Sequence, residues 1–156
     1  MPTGLGGELL WLCPTLGGDA VDLTGLNTPT CDGGLASIAH TDHGGTRAYS
    51  FDGSNDCITV PHHSRFDFGT GDFCVSLHVK ATTSGPADLV QKILATGSFN
   101  GWSCQRVSAA RLVNQSNHTS RNITINVWSH CVFQRIATQS TVWVNGKCVA
   151  DSTQTT

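Results

Sequence analysis

The chain has 156 residues, 38% of them hydrophobic and only 13% charged, with 17 glycines, a formal net charge of −2 and a pI near 6.3. A chain of that length buries roughly 68–70% of its unfolded surface on folding, enough for one cored domain, here read as spanning residues 1–156. Nucleic-acid binding requires clustered Lys and Arg, whereas the nine here are scattered. No run approaches the roughly 18–20 apolar residues of a membrane-crossing helix.

The first residues, Met1-Pro2-Thr3-Gly4-Leu5-Gly6-Gly7-Glu8, lack the basic stretch and apolar core of a signal peptide. That sets the expectation of either an excised mature domain or a protein folded inside a cell. Residues 8–14 form a short apolar run ended by Pro14, the first predicted strand. Residues 15–43 are rich in Gly, Asp, Thr and Asn and read as loop with short strand pieces. Within 48–60 two strands are predicted to meet at the turn Asp52-Gly53-Ser54-Asn55. Residues 73–81 give the clearest strand. Phe73, Val75, Leu77 and Val79 fall on one face and Cys74, Ser76, His78 and Lys80 on the other, the period of two that a half-buried strand demands.

Residues 87–95 would also fit a helical face through Leu89, Val90, Ile93 and Leu94, but their β-branched content and surroundings favour a strand. Strands are then predicted at 101–107, 110–114, 122–126 and 129–136. The last two, 141–144 and 147–150, flank Asn145-Gly146, the strongest two-residue signal for a type I′ hairpin. No fixed-period repeat, low-complexity segment or linker interrupts the series. The fold class is all-β, an antiparallel β-sandwich.

Seven cysteines (Cys13, Cys31, Cys57, Cys74, Cys104, Cys131, Cys148) leave an odd thiol, and no C-x-x-C occurs. This argues against zinc ribbons and thioredoxin-like chemistry. Thiols inside strand patterns, such as Cys74 and Cys131, read as small buried hydrophobes in preference to a disulfide framework.

The run Phe51-Asp52-Gly53-Ser54-Asn55-Asp56 before Ile58-Thr59-Val60-Pro61 resembles the laminin G-like branch of the concanavalin A-like jelly rolls. So do Phe66-Asp67-Phe68-Gly69-Thr70-Gly71-Asp72-Phe73 with Val75-Ser76, Gly101-Trp102, Trp128-Ser129-His130 and Val142-Trp143-Val144-Asn145-Gly146-Lys147. The resemblance runs from about residue 8 onward, in the family's order. It implies a concanavalin A-like jelly roll, and it implies further closing strands where this sequence ends at Thr156. An uncompleted sheet would leave an open edge, a template for another chain; the sequence is then either a truncated fragment or, as is expected here, a compact version whose edge is covered by neighbouring subunits of a homo-oligomer, with a trimer among the symmetric arrangements. His78 stands where relatives often carry an aromatic, and Cys57 at a tyrosine-like position.

Glycoside hydrolysis on such a fold needs two carboxylates roughly 5–10 Å apart. The chain holds a single glutamate, Glu8, and Asp19, Asp22, Asp32, Asp42, Asp52, Asp56, Asp67 and Asp72 sit in turn sequences, where turn stabilisation accounts for them. Gly-x-Ser-x-Gly, P-loop and Gly-x-Gly-x-x-Gly motifs do not occur. The expectation is a non-enzyme. Calcium takes hard oxygens from Asp- and Asn-rich loops, and the resemblance implies a rim loop of that kind, so Asp52, Asn55 and Asp56 are the candidate calcium ligands against a plain-turn reading. His40 and His43 flanking Asp42, and the adjacent His62 and His63, read as surface residues, since structural zinc needs four ligands fixed by the scaffold. His130 reads as structural.

Of the tryptophans, Trp11, Trp128 and Trp143 lie in strand patterns and are expected to fill the core. Trp102, with Asn100 beside it, is the candidate glycan-stacking residue. Sequons at Asn114, Asn117 and Asn122 matter only in a eukaryotic secretory route. Two functional classes remain. One is a virion-surface structural protein, such as a phage capsid decoration or fibre domain, which packs on neighbouring subunits and contacts host glycans. The other is a calcium-assisted carbohydrate-binding or adhesion module of a secreted, extracellular protein.

Overall fold

A computed structural model of the chain describes residues 10, 12–15, 19–40, 46–95, 98–108, 111–114, 123–137 and 139–153, with backbone alone at 13, 93–95, 98–100, 107–108, 111–114 and 149–153. Trp11, His43, Asp42, Asn117 and Asn122 lie outside these residues. Apart from a 3-10 turn at Ser64–Phe66, the described regular structure is β-strand, and the protein is all-β as its alternation requires. Among the described residues no helix is long and apolar enough to cross a membrane. The chain divides into two compact units, Met1–Phe66 and Asp67–Thr156.

The first unit holds three antiparallel pairs. Strand β1 (Leu12–Pro14) pairs with β2 (Ala20–Asp22), β3 (Thr30–Asp32) with β6 (Cys57–Thr59), and β4 (Ala36–Ala39) with β5 (Arg47–Ser50). The two strands expected around Asp52-Gly53-Ser54-Asn55 therefore exist as β5 and β6, but they do not pair with each other; each finds an earlier strand. At the end of β3 the chain passes so close to the next turn that a Cβ on Gly33 would lie 2.5 Å from the Asn55 carbonyl oxygen. With φ at +79° there as well, glycine is the residue the site admits.

The end of β2 is closed by one carboxylate. Asp22, only 6% exposed, accepts hydrogen bonds on both oxygens: Oδ1 from the Thr24 N–H (3.0 Å), and Oδ2 from the Thr24 hydroxyl (2.6 Å), the Asn27 N–H (3.0 Å) and the Asn27 side-chain amide (2.7 Å). A buried charge is tolerated when its lone pairs are filled in this way.

The second unit contains two antiparallel sheets. Strands β8 (Ala87–Ala95), β9 (Ser98–Ser108) and β10 (Arg111–Asn114) make one, in the order β10-β9-β8. Strands β7 (Phe73–Lys80), β11 (Trp128–Ile136), β12 (Gln139–Val144) and β13 (Lys147–Thr153) make the other, in the order β13-β12-β11-β7. Residues 87–95 are thus strand, not helix. The predicted strand at 122–126 is not formed over its described part: Ile125 and Asn126 lie in a turn, Asn126 has φ of 62°, and its N–H donates to the Ala81 carbonyl (2.8 Å). Asn tolerates the left-handed conformation that turns the chain there, which no strand register accommodates. The Asn145-Gly146 hairpin forms as its residues specify, with φ of 50° and 74°.

The core of this unit draws on both sheets. Cys104 from β9, Cys131 and Phe133 from β11, and Val142 and Val144 from β12 are buried together with Ala81 and Ile123. Val75, Leu77 and Val79 of β7, Leu89 and Val90 of β8, and Trp102 of β9 pack against them. Phe133, with no exposed surface, is a residue whose truncation to Ala costs about 3–5 kcal/mol by loss of transfer energy and creation of a cavity.

Candidate functional site on the outer sheet face

The alternation that buries Phe73, Val75, Leu77 and Val79 sends Cys74, Ser76, His78 and Lys80 to the other side of β7, and strand pairing lines up the neighbours on that side. His78 lies opposite His130, Ser76 opposite Val132, Lys80 opposite Trp128 and Cys74 opposite Gln134. One strand further, Trp143 lies opposite Val132, and beyond it Cys148 opposite Trp143. Directly opposed residues of an antiparallel pair share a face. The outer face of the four-stranded sheet therefore carries Trp128, His130, Val132 and Trp143, all half-buried, beside the exposed Ser76, His78, Cys74 and Cys148.

This placement corrects the expectation that Trp128 and Trp143 fill the core. Both stand at positions whose strand neighbours, Ser129 and Val142, are the buried ones. A strand of alternating character assigns every second residue outward, and large apolar side chains on that side remain in contact with water. Cys74 likewise faces outward and is exposed, while Cys131 is buried.

On the β7 side of the face the rings of His78 and His130 stack, with centroids 4.7 Å apart and planes 21° from parallel. His130 Nε2 and Ser76 Oγ share a 2.8 Å hydrogen bond whose direction follows the imidazole tautomer. The His130 backbone is held on both sides by the hairpin turn: its N–H donates to Asn145 Oδ1 and its carbonyl accepts from the Asn145 N–H, each at 2.9 Å. A Ser–His contact becomes a nucleophile when a third group orients the imidazole, and among the described residues His130 has no carboxylate partner. What the face presents is aromatic surface beside hydrogen-bonding groups.

Trp102, the glycan candidate, sits elsewhere. On β9, half-buried, it stacks on Phe68 (5.1 Å between centroids, 26°) and leans on Phe73 (5.7 Å, 33°), and it packs against the core. Its register partner Lys92 forms an ion pair with Asp67 at 2.7 Å. Asn100 is on the same strand, two residues before Trp102, with its backbone alone described.

Asp52, Asn55 and Asp56 are brought together in one exposed turn. The Ser54 N–H donates to Asp52 Oδ1 (2.8 Å) and the Asp52 N–H to Asp56 Oδ2 (2.8 Å), with Gly53 at φ of 80°. Both carboxylates thus accept backbone donors of their own turn, and Asn55 contributes its backbone carbonyl to the close approach of Gly33. Among the described residues no three of His, Cys, Asp and Glu gather in a metal-holding group. The His40 N–H donates to the Thr46 carbonyl (2.9 Å), and His63 Nδ1 accepts from the Arg65 N–H (3.1 Å).

Burial acts on the thiols. Desolvation raises the Cys74 thiol above its ordinary value and pushes Cys131 up to about 11. In the core, Cys104 is raised further, by desolvation first and by Cys74 second. A raised thiol is a poor nucleophile, which leaves the core cysteines as packing groups.

Fold and site together define an all-β protein whose outer sheet face carries half-buried indole rings and a pair of imidazoles. No protein-family model, curated protein or solved structure matches the chain.

Proposed function

We propose that this chain is a non-catalytic recognition protein, a β-sandwich of laminin G-like jelly-roll type that contacts saccharide through the outer face of its four-stranded sheet. The observation that carries the reading is the pair of half-buried tryptophans Trp128 and Trp143 on that outer face, with His130 between them along β11 and Ser76 and His78 beside it on β7. Four residues along β11 and one strand across separate the two indoles by about 14 Å of sheet. That span suits a short oligosaccharide whose apolar ring faces stack on indole while its hydroxyls meet imidazole and serine groups. The outer face of the four-stranded sheet is favoured here over Trp102 and Asn100, since the Trp102 ring already packs on Phe68 and Phe73.

Tryptophan fluorescence titration with chito-, cello- and galacto-oligosaccharides tests the proposal. At least one series gives a saturable change, and Trp143→Ala or Trp128→Ala weakens it about tenfold, roughly 1.4 kcal/mol. A flat response to all three, or unchanged affinity in both variants, overturns it.

A structural role on a virion surface draws on one separate observation. Strand β7, eight residues long, is a terminal strand of its sheet, and terminal strands offer backbone groups to a neighbouring subunit. Light scattering on the purified chain decides this: a discrete symmetric oligomer supports packing between copies, and a monomer at all concentrations removes it. A calcium-assisted variant of the recognition role would use Asp52, Asn55 and Asp56.

A further inference from the structure

Beyond saccharide contact, and independently of it, we propose that His78 and His130 form a two-imidazole chelate for a divalent transition-metal ion such as Ni²⁺, Cu²⁺ or Zn²⁺. The two histidines are direct register partners on β7 and β11, so their Cβ atoms stand about 4.5–5.5 Å apart on one face. Their rings are already side by side at 4.7 Å and 21°. Metal–imidazole bonds of about 2.0–2.1 Å bring two donor nitrogens to roughly 3 Å from each other; tilting the two stacked rings toward a shared ion closes that gap without moving the backbone.

The scaffold holds one ligand firmly. The Asn145 turn fixes both backbone groups of His130, and Ser76 Oγ sits 2.8 Å from its Nε2. When an ion takes that nitrogen, the serine hydroxyl is left facing the coordination sphere, where it orients a metal-bound water; such supporting hydrogen bonds sharpen metal sites. Imidazole is a suitable donor for Zn, Cu and Ni, and the remaining positions go to water, which makes the site open and exchangeable. His78 is exposed, so the ion has a direct path in.

Isothermal calorimetry of the full chain with NiCl₂ tests this, comparing wild type with His78→Gln, His130→Gln and a control, His62→Gln, taken from the exposed histidine pair of the first unit. The expected result is a saturable event in wild type and in His62→Gln. Each site variant weakens it at least about tenfold, while both keep the wild-type melting midpoint in EDTA. Heat of binding that persists in both site variants, or no saturable heat in wild type, overturns the proposal. Should His130→Gln fail to fold, the surface variant His78→Gln decides the matter alone.

Discussion

The guanidinium carbon of Arg135 lies 5.0 Å over the centroid of the Phe73 ring, its register partner across β11 and β7. From there the side chain reaches the loop before β7: Nε donates to the Gly71 carbonyl (2.9 Å), and Nη2 to the carbonyls of Gly69 (2.6 Å) and Gly71. The same loop is closed by the Gly71 N–H on the Phe68 carbonyl (2.6 Å) and by Asp72 Oδ1 accepting the Ala137 N–H (2.7 Å). Phe73 in turn stacks on Phe68 at 4.9 Å and 10°. One arginine therefore ties the strand end, the glycine turn and the aromatic stack together. Lysine keeps the charge but has no planar fork to serve two carbonyls while covering a ring. Arg135→Lys is expected to lower stability by about 1–2 kcal/mol, discounted for the half-exposed position. A urea midpoint that falls with an unchanged m-value is the expected reading; an unmoved midpoint would show the clamp to be idle.

Much of this second unit is legible in the sequence, and the reason is local. Phe73 to Lys80 and Gln139 to Val144 alternate cleanly, and Asn145-Gly146 permits one tight turn, so strand, face and hairpin all follow from neighbouring residues. Pairing between distant segments is not legible. Nothing near Ser50 or Cys57 says that β5 and β6 each turn to an earlier strand. For the same reason His78 and His130, fifty-two positions apart along the chain, give no sign of stacking. Trp128 and Trp143 look like core residues only while bulk is weighed above parity. Counting alternate positions from buried Phe133 and Val142 puts both indoles outside.

Asp22 offers a test in the first unit. Its Oδ2 faces three donors, from Thr24 Oγ1, the Asn27 N–H and Asn27 Nδ2. Asp22→Ala leaves buried donors without an acceptor and is expected to cost about 2–3 kcal/mol. Asp22→Asn is near-isosteric, yet whichever way its amide turns, an NH₂ group meets donors on one side. The asparagine variant should therefore be nearly as destabilised as the alanine one. An asparagine variant with the wild-type denaturation midpoint would mean that shape, not acceptor count, closes this loop.

The Asp52 turn separates two roles for the same carboxylates. Because Asp52 Oδ1 accepts the Ser54 N–H within the turn, Asp52→Ala should cost about 0.5–1 kcal/mol, the worth of an exposed side-chain to backbone bond. That cost should be equal in CaCl₂ and in EDTA. A cation held by Asp52, Asn55 and Asp56 would instead stabilise the wild type by mass action and leave the variant unmoved. A calcium-dependent rise in the melting midpoint that Asp52→Ala abolishes would establish the calcium reading in place of the plain turn.

The core thiols set an alkaline limit on stability. Cys131 has no exposed surface, and burial raises its thiol from an ordinary 9.0 to about 11. Below pH 9 the thiol is protonated folded or unfolded, and the full stability is present. As pH rises past 9 the unfolded chain loses that proton while the folded chain keeps it, so the unfolded state binds fewer protons and stability falls toward pH 11. Two units at 1.36 kcal/mol each give a loss of about 2–3 kcal/mol from this residue, and Cys104, raised in the same direction, adds to it. Cys131→Ala should flatten the decline between pH 9 and 11 while lowering stability at pH 7, since it removes a packed side chain. In the folded protein the exposed Cys57 and Cys148 should react with Ellman's reagent at pH 8 and the exposed but desolvated Cys74 more slowly, whereas Cys104 and Cys131 should react only after denaturant is added. Equal labelling of all five without denaturant would show that the interface between the two sheets opens on the timescale of the reaction.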